Sequence, residues 1–447
     1  MRSLVTSLFH RLGYEIRRIE RAPLAVAPPI VPTDAALDFG AALAHFPASA
    51  RQVATSLAST TQLIIEGWRS IPHSYAVVNQ WQLIAMAKRD DVAARMVDIP
   101  FHRRSWKEQP GLFDPEAQAI LDRVERAHPD DAADVTLRIF FPYDFEPSGS
   151  RVTAVFGTCE AQGILRRQLA DFRAFDRLKR KPPPEEVRAV TPSTWSAEGF
   201  YRAGFRPEQV LVVPHGVDVA TFQPRPQFRP AAREALGAAE HEFVFLSVGA
   251  MTGNKGIDLL LRAFAEVLQR HPAALLVLKG LDSVYDSKMF LAKSLGSLDA
   301  SGRERVLART RYFGGALSFR EMAVLYQAAD AYVSPYRAEG FNIPVLEAAA
   351  CGLPVICTAG GATDDFVDHS FARRIDATKC QFRGDDDQEL AQLEPQIDHL
   401  VQLMTEAVDD SGWRSQAAAA GPRHVAAGFT WDHVVDRLVR GITGVSR

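Results

Sequence analysis

Two carboxylates and one ammonium carry the chemistry this sequence offers. Glu339 and Glu347, separated by seven residues, lie in Arg337-Ala-Glu-Gly-Phe-Asn-Ile-Pro-Val-Leu-Glu-Ala-Ala-Ala-Cys-Gly-Leu-Pro-Val-Ile356. Acid pairs at such spacing are most often solvated surface charges. Here the first precedes Gly340-Phe341-Asn342, and the second falls inside an apolar stretch. Lys255 belongs to a glycine-rich segment, Gly249-Ala-Met-Thr-Gly-Asn-Lys-Gly256. A lysine beside a helix start makes a cradle for phosphate, because the unpaired N–H groups and the helix dipole both favour negative charge.

Each of these groups needs an element to hold it. Ala331-Tyr-Val-Ser-Pro335 is apolar and ends in proline, as a buried strand does. Asn342 is a candidate helix cap, Pro344 fits the first turn, and Gly352 fits the position past the helix end. Pro354-Val-Ile-Cys357 then resumes a strand. Phe243–Val248 is the strand before the glycine-rich loop, and Ile257, Leu260, Leu261, Phe264, Val267 and Leu268 form a helical stripe after it. Leu275–Leu278, ending at Lys279-Gly280, and Tyr312-Phe-Gly-Gly-Ala316 mark two more strands, the latter before a helix at 318–329.

In the first half the strand candidates are Gln62–Ile65, Ala94–Ile99, Val135–Phe140, Val152–Phe156, Val187–Val190 and Val210–Val213, with a helix pattern at Tyr75–Ala87. The alternation predicts an α/β protein with parallel sheets covered by helices on both faces. Ligands in such sheets sit beyond the carboxyl ends of the strands. Three loops would then face a crevice: one with Gly67, His73 and Ser74, a second at Phe141-Pro-Tyr-Asp144, and a third at Gly157-Thr-Cys-Glu160. His73 could orient or deprotonate a ligand hydroxyl, or only bond to backbone. Glu160 could serve the crevice or only cap a helix.

The segment from Glu339 to Val355 resembles the Glu-x7-Glu region of retaining glycosyltransferases of family 4, where Glu-Gly-Phe-Gly-Leu-Pro-x-x-Glu-Ala-x-Ala-Cys-Gly-x-Pro-Val is the pattern. The resemblance implies a GT-B fold, two Rossmann-like domains facing across a cleft. It implies hexosyl transfer from a nucleotide-diphosphate sugar to an acceptor hydroxyl, with no metal or other cofactor. Glu339 as the catalytic residue, with Gly340 and Phe341, would hold the donor sugar, and Glu347 the ribose hydroxyls. Lys255, with Gly253 and Asn254, would hold the diphosphate, and the loop at Gly314 would pass the nucleobase. Gly67, Ser74 and Glu160 would lie on the acceptor side, with His73.

Thr191-Pro-Ser-Thr-Trp195 and Val213-Pro-His-Gly-Val-Asp218 resemble family segments at the junction of the domains, where His215 and Asp218 would fix a turn. Gly360-Gly-Ala-Thr-Asp364 resembles the family's Gly-Gly loop. Three positions depart from the pattern. Asn342 stands where glycine is usual. Ala250 stands where the family places an arginine on the diphosphate, so another residue must help or binding is weaker. The loop after the first strand has Gly67 alone in place of a glycine pair. The implied layout is an N-terminal amphipathic helix and linker at 1–60, an acceptor domain at 61–214, a donor domain at 215–427, and a helix at 428–447 that crosses back to the first domain.

Other phosphate and metal motifs do not fit. Gly256 follows Lys255 where a P-loop requires Ser or Thr, and glycines at 249, 253 and 256 miss the dinucleotide fingerprint. The Asp385-Asp-Asp387 run has no apolar strand before it and reads as a solvated loop.

Composition sets the class. The chain has 447 residues, 47% hydrophobic and 23% charged, which suits a globular protein of two or three domains. A net charge of -3 gives no reason to expect nucleic acid. The four cysteines form no C-x-x-C pair, which fits a reducing cytoplasm. No apolar run reaches the ~18–20 residues that span a bilayer. Residues 1–21 carry Leu4, Leu8, Leu12, Ile16 and Ile19 at helical spacing among five arginines. Such a helix can lie on an anionic membrane at the inner face, or pack on protein. A second basic run at 166–181 can meet lipid headgroups, or form a solvated face. The partners implied are a nucleotide sugar and a glycan or lipid-linked acceptor, in surface polysaccharide or lipid-linked glycan synthesis. Two other readings stand beside transfer: another GT-B reaction such as epimerisation or phosphorolysis, or a non-catalytic assembly partner at the membrane.

Overall fold

Short runs of β-branched and aliphatic residues alternate with amphipathic helices through the chain, and each run becomes a parallel strand. The structure is a computed structural model and describes residues 37–44, 46, 60–171, 176, 178, 181–384 and 387–444. The basic stripe at 1–21 lies outside these residues, as do Asp385, Asp386 and most of the 166–181 run from Phe172 onward.

The first sheet holds β1 (Thr61–Gly67), β2 (Val92–Asp98), β3 (Val135–Ile139), β4 (Val152–Phe156), β5 (Val187–Thr191) and β6 (Val210–Val212), in the order β2-β1-β3-β4-β5-β6. The second holds β7 (Val244–Val248), β8 (Leu275–Lys279), β9 (Thr310–Phe313), β10 (Ala331–Ser334), β11 (Val355–Thr358) and β12 (Ala372–Ile375), in the order β12-β11-β10-β7-β8-β9. Every pairing within both sheets is parallel. Helices cover both faces, so β3, β4 and β8 are buried from end to end. All the described residues fall in one compact unit.

Strand order decides where a ligand can sit. The direction of winding reverses between β1 and β3 in the first sheet and between β7 and β10 in the second. The loops leaving two such strands diverge to opposite faces and open a crevice. In the second sheet Tyr332 of β10 pairs with Leu246 of β7. The glycine-rich loop and the loop carrying Glu339 therefore leave the sheet side by side.

The helix Trp431–Thr443 packs Val434, Val435, Leu438 and Ile442 into the core of the first sheet. Lys88 and Arg89 pair with its Asp432 and Asp436. The sequence reading contains neither β12 nor the two strands after it, β13 (Ala377–Arg383) and β14 (Glu389–Pro395), which form an antiparallel hairpin. Its Ala391 N–H donates to the carbonyl of Ala161, 2.9 Å away, and so ties it to the first half of the chain. Near the start, Phe39 is buried with the second core and Phe46 lies 5.4 Å from Phe228. This part of the expected linker is thus docked on the second half of the chain.

Candidate functional site

The glycine-rich loop ends in a single 3-10 turn, Gly253–Lys255, and the helix Ile257–Arg270 follows. Gly256 joins them with φ 67°, and a Cβ there would overlap the carbonyl oxygen of Pro335. Only glycine meets both demands, and the close approach it allows locks this loop against the β10 loop. Asn254 completes the lock. Its carbonyl accepts the N–H groups of Arg337 and Ala338, and its side-chain amide donates to Ala338 O (3.1 Å) and to Glu160 Oε2 (3.2 Å). Gly253 contributes its carbonyl to Arg337.

Within this frame Lys255 Nζ donates to Glu339 Oε1. The Glu339 side chain is 6% exposed and that of Lys255 23%. Burial works against the ammonium, but the charges of Glu339 and Glu160 outweigh it and hold Lys255 above its ordinary range. Glu160 is pushed up by desolvation and by the like charge of Glu339, with Lys255 opposing. Glu160 faces the open cleft, and the residues directly after it form a turn, not a helix. The cap role therefore does not hold, and the side chain reaches Asn254 across the cleft instead.

The second carboxylate is held by a short helix, Ile343–Ala350. Asn342 precedes it with φ 81° and leaves the helix without a side-chain cap; its amide donates to Ser334 Oγ instead, 2.9 Å away. The left-handed backbone explains why asparagine can replace glycine here, being one of the few residues that tolerate it. Glu347 accepts a hydrogen bond from the Tyr326 hydroxyl at 2.8 Å. Burial raises its carboxyl to about 7, the Tyr326 bond opposing.

These groups line one cavity of about 490 Å³, walled by Ser74, Tyr75, Phe156, Thr158 and Glu160 of the first half and by Lys255, Lys279, Tyr285, Glu339 and Glu347 of the second. Asn254, Gly340, Phe341 and Asn342 also line it. The two halves touch at its floor, where Ser193 Oγ donates to Gly340 O at 2.7 Å and Gly340 abuts Thr158. Phe341 stacks on Phe366 with centroids 4.4 Å apart. The cavity thus joins buried cations, acceptor carboxylates and apolar walls, the furnishing that a charged, hydroxylated ligand requires.

Four expected residues are not among the lining. Gly67 is the last residue of β1 and packs on Ile139 of β3. Gly253 serves the loop frame. Gly314 sits under Asp282, whose N–H donates to its carbonyl, while Ala316 and Leu317 of the same loop do line the cavity. His73 caps the helix Ser74–Met86, its Nδ1 accepting the Tyr75 N–H at 3.2 Å. Burial, with the nearby His102 and Arg103, lowers it to about 4, so it is neutral near pH 7. The backbone-bonding alternative is the one the geometry supports. The Phe141–Asp144 loop also stays out of the lining; its Tyr143 hydroxyl instead ties Tyr75 to Thr158.

Other residues enter that the sequence reading did not select. His215 lines the cavity 4.9 Å from the Phe341 ring, and burial lowers it to about 3. Lys279 is buried in the wall, and Tyr285 is half-buried beside it. Arg337 is not available to a ligand, because Asp258 (2.7 Å) and Glu394 (2.8 Å) hold its guanidinium. Among the described residues no group of three or more His, Cys, Asp or Glu converges to hold a metal ion, and no helix is long and apolar enough to cross a membrane.

Residues 228–392 match the family model described as Glycosyl transferases group 1. A GDP-mannose-dependent monoacylated alpha-(1-6)-phosphatidylinositol monomannoside mannosyltransferase of Corynebacterium glutamicum is 31% identical over 235 residues, 51% of this chain and 54% of that protein. A D-inositol 3-phosphate glycosyltransferase of Geodermatophilus obscurus is 32% identical over 249 residues, 54% of this chain and 49% of that protein. The chain spans about half the length of these curated relatives. Among solved structures, Anabaena Alr3699/HepE in complex with UDP and glucose superposes with a TM-score of 0.60 at 14% identity, over 86% of this chain and 100% of that one. WaaG, a glycosyltransferase involved in lipopolysaccharide biosynthesis, does so with a TM-score of 0.58 at 19% identity and the same coverage. The architecture is therefore that of the GT-B glycosyltransferases, and residues 228–392 match the group 1 family of those enzymes.

Proposed function

We propose that this chain is a retaining glycosyltransferase of family 4 that moves a hexosyl unit from a nucleotide-diphosphate sugar to an acceptor hydroxyl. The observation that carries the reading is the Lys255–Glu339 pair at the switch point of the second sheet, in one cavity with Glu347. The leaving diphosphate gains negative charge as the glycosidic bond breaks, and a fixed ammonium beside it lowers that barrier. Lys255 supplies the charge, aided by the start of the helix at Ile257, so the reaction runs without a metal. Glu339 and the backbone of Gly340 and Phe341 hold the sugar, and Glu347 grips the ribose hydroxyls. The acceptor enters beside Ser74 and Glu160 and attacks on the face that the diphosphate leaves, with no covalent enzyme intermediate. His73 orients this side through its helix cap.

The names of the relatives suggest GDP- and UDP-sugars as the first donors to try, and glycan or lipid-linked acceptors in surface polysaccharide or lipid-linked glycan synthesis. The work would take place in the cytoplasm, at the inner face of the membrane. The test is a thermal-shift panel of UDP-, GDP- and ADP-sugars. A donor at about 100 times its Kd stabilises the fold by about 2.7 kcal/mol. The selected donor is then incubated with glycan and lipid-linked acceptors and the product anomer read by NMR. No shift from any donor, or an inverted anomer, would refute the reading. Turnover of the donor without an acceptor would move it to an epimerase or phosphorylase.

A further inference from the structure

A departing diphosphate spreads its charge over several oxygens, yet the glycine-rich loop carries one lysine and has alanine at 250. Resting on the donor reading above, we propose that Lys279 is the second diphosphate-binding cation of this cavity, in place of any cationic side chain at residue 250. Lys279 ends β8, directly beside Val248 at the end of β7. The Gly249 N–H donates to its carbonyl at 3.0 Å, so the residue is fixed against the base of the same loop. The residue lines the cavity together with Gly249, Ala250 and Lys255.

Its surroundings leave its charge unmatched. The residue is 4% exposed, and its Nζ donates to the carbonyl of its own neighbour, Gly280. An ammonium has three donors, and among the described residues no carboxylate forms an ion pair with this one. Asp282 is the acid whose charge acts on it. Asp282 already accepts from the Tyr312 hydroxyl (2.7 Å) and the Lys288 N–H (3.0 Å) on one oxygen. Lys255 differs, because Glu339 neutralises it. A buried ammonium without a counter-ion is costly, and burial lowers Lys279 to about 8. An arriving diphosphate provides the missing anion and restores the full charge. Binding above pH 8 must therefore take up a proton, which Lys255, held high by Glu339, does not contribute.

The experiment is calorimetric titration of the full chain with UDP, GDP and ADP, and then with the monophosphate of the tightest binder. Wild type and Lys279→Met are compared at about pH 8.5 in two buffers of different ionisation enthalpy. The expected result is proton uptake with the wild type, lost in Lys279→Met together with about tenfold or more of the diphosphate affinity. The monophosphate should be affected less. Equal diphosphate affinity in the two proteins, or no proton uptake by the wild type, overturns the role of Lys279 and leaves the donor reading standing. Should Lys279→Met fail to fold, Lys279→Arg takes its place: arginine keeps its charge at about pH 8.5, so it should bind the diphosphate with less proton uptake than wild type, and uptake equal to wild type overturns the role of Lys279. Failure of every nucleoside diphosphate to bind the wild type overturns the donor reading as well.

Discussion

Glu347→Gln should make the protein more stable while weakening the donor binding proposed above. In the folded state burial raises this carboxyl from 4.5 to about 7, even with the Tyr326 hydroxyl donating to it. A group whose native form binds its proton more tightly than the unfolded form weakens folding as pH rises. The penalty begins above the unfolded value of 4.5 and is complete above about 7. At ~1.36 kcal/mol per pKa unit it amounts to about 3 kcal/mol at most. Glutamine has the same shape, keeps an oxygen for Tyr326, and carries no charge to desolvate. Urea unfolding of both proteins from acid to mildly alkaline pH measures the difference. The glutamine variant should gain up to about 3 kcal/mol at about pH 8, and the gain should vanish near the ordinary carboxylate pKa. A difference that does not change with pH, or a variant less stable than wild type at alkaline pH, would refute the argument that burial dominates this site. On the donor reading proposed above, an ionised Glu347 would accept the ribose hydroxyls, so donor affinity should fall as pH drops through about 7.

Lys255→Met should weaken nucleoside diphosphate binding and destabilise the fold by about 3–5 kcal/mol, because it strands the buried Glu339 without its counter-ion. Adding Glu339→Gln to it should recover much of that stability but no turnover, a split that urea unfolding and a transfer assay can resolve. Asn342→Gly should leave folding within about 1 kcal/mol of wild type, whereas Asn342→Val, forced to a φ of 81°, should lose about 1–2 kcal/mol or more. Gly256→Ala should give little folded protein, as judged by soluble yield and circular dichroism, because its Cβ has no room beside Pro335.

Much of the site was legible because its signals are local. The alternation of apolar runs and helical stripes announced the two parallel sheets, with strand limits within a few residues of those observed. Gly256, Asn342, Pro344 and Gly352 mark the turns and helix ends around Lys255 and Glu347 by their backbone preferences alone. Periodicity could not reach what depends on distant packing. Arg337 begins the motif, and nothing near it in sequence shows that Asp258 and Glu394, both distant in the chain, take up its guanidinium. Glu160 left two readings open, crevice or helix cap; the turn after it does not become a helix, and the side chain meets Asn254. Lys279 did leave a trace, a lysine closing the apolar run Leu275-Leu-Val-Leu278, but a charged strand end is as often solvated as buried.

The sequence by itself determined which elements form and which residues could bear charge, because turns, caps and apolar periodicity act over a few residues. Only the tertiary structure decided that Lys255 and Glu339, 84 residues apart, share one hydrogen bond. That contact exists because β7 and β10 are neighbours at the point where the second sheet reverses its winding. Strand order of this kind is fixed by how whole layers bury their apolar faces, and no short stretch of chain contains it.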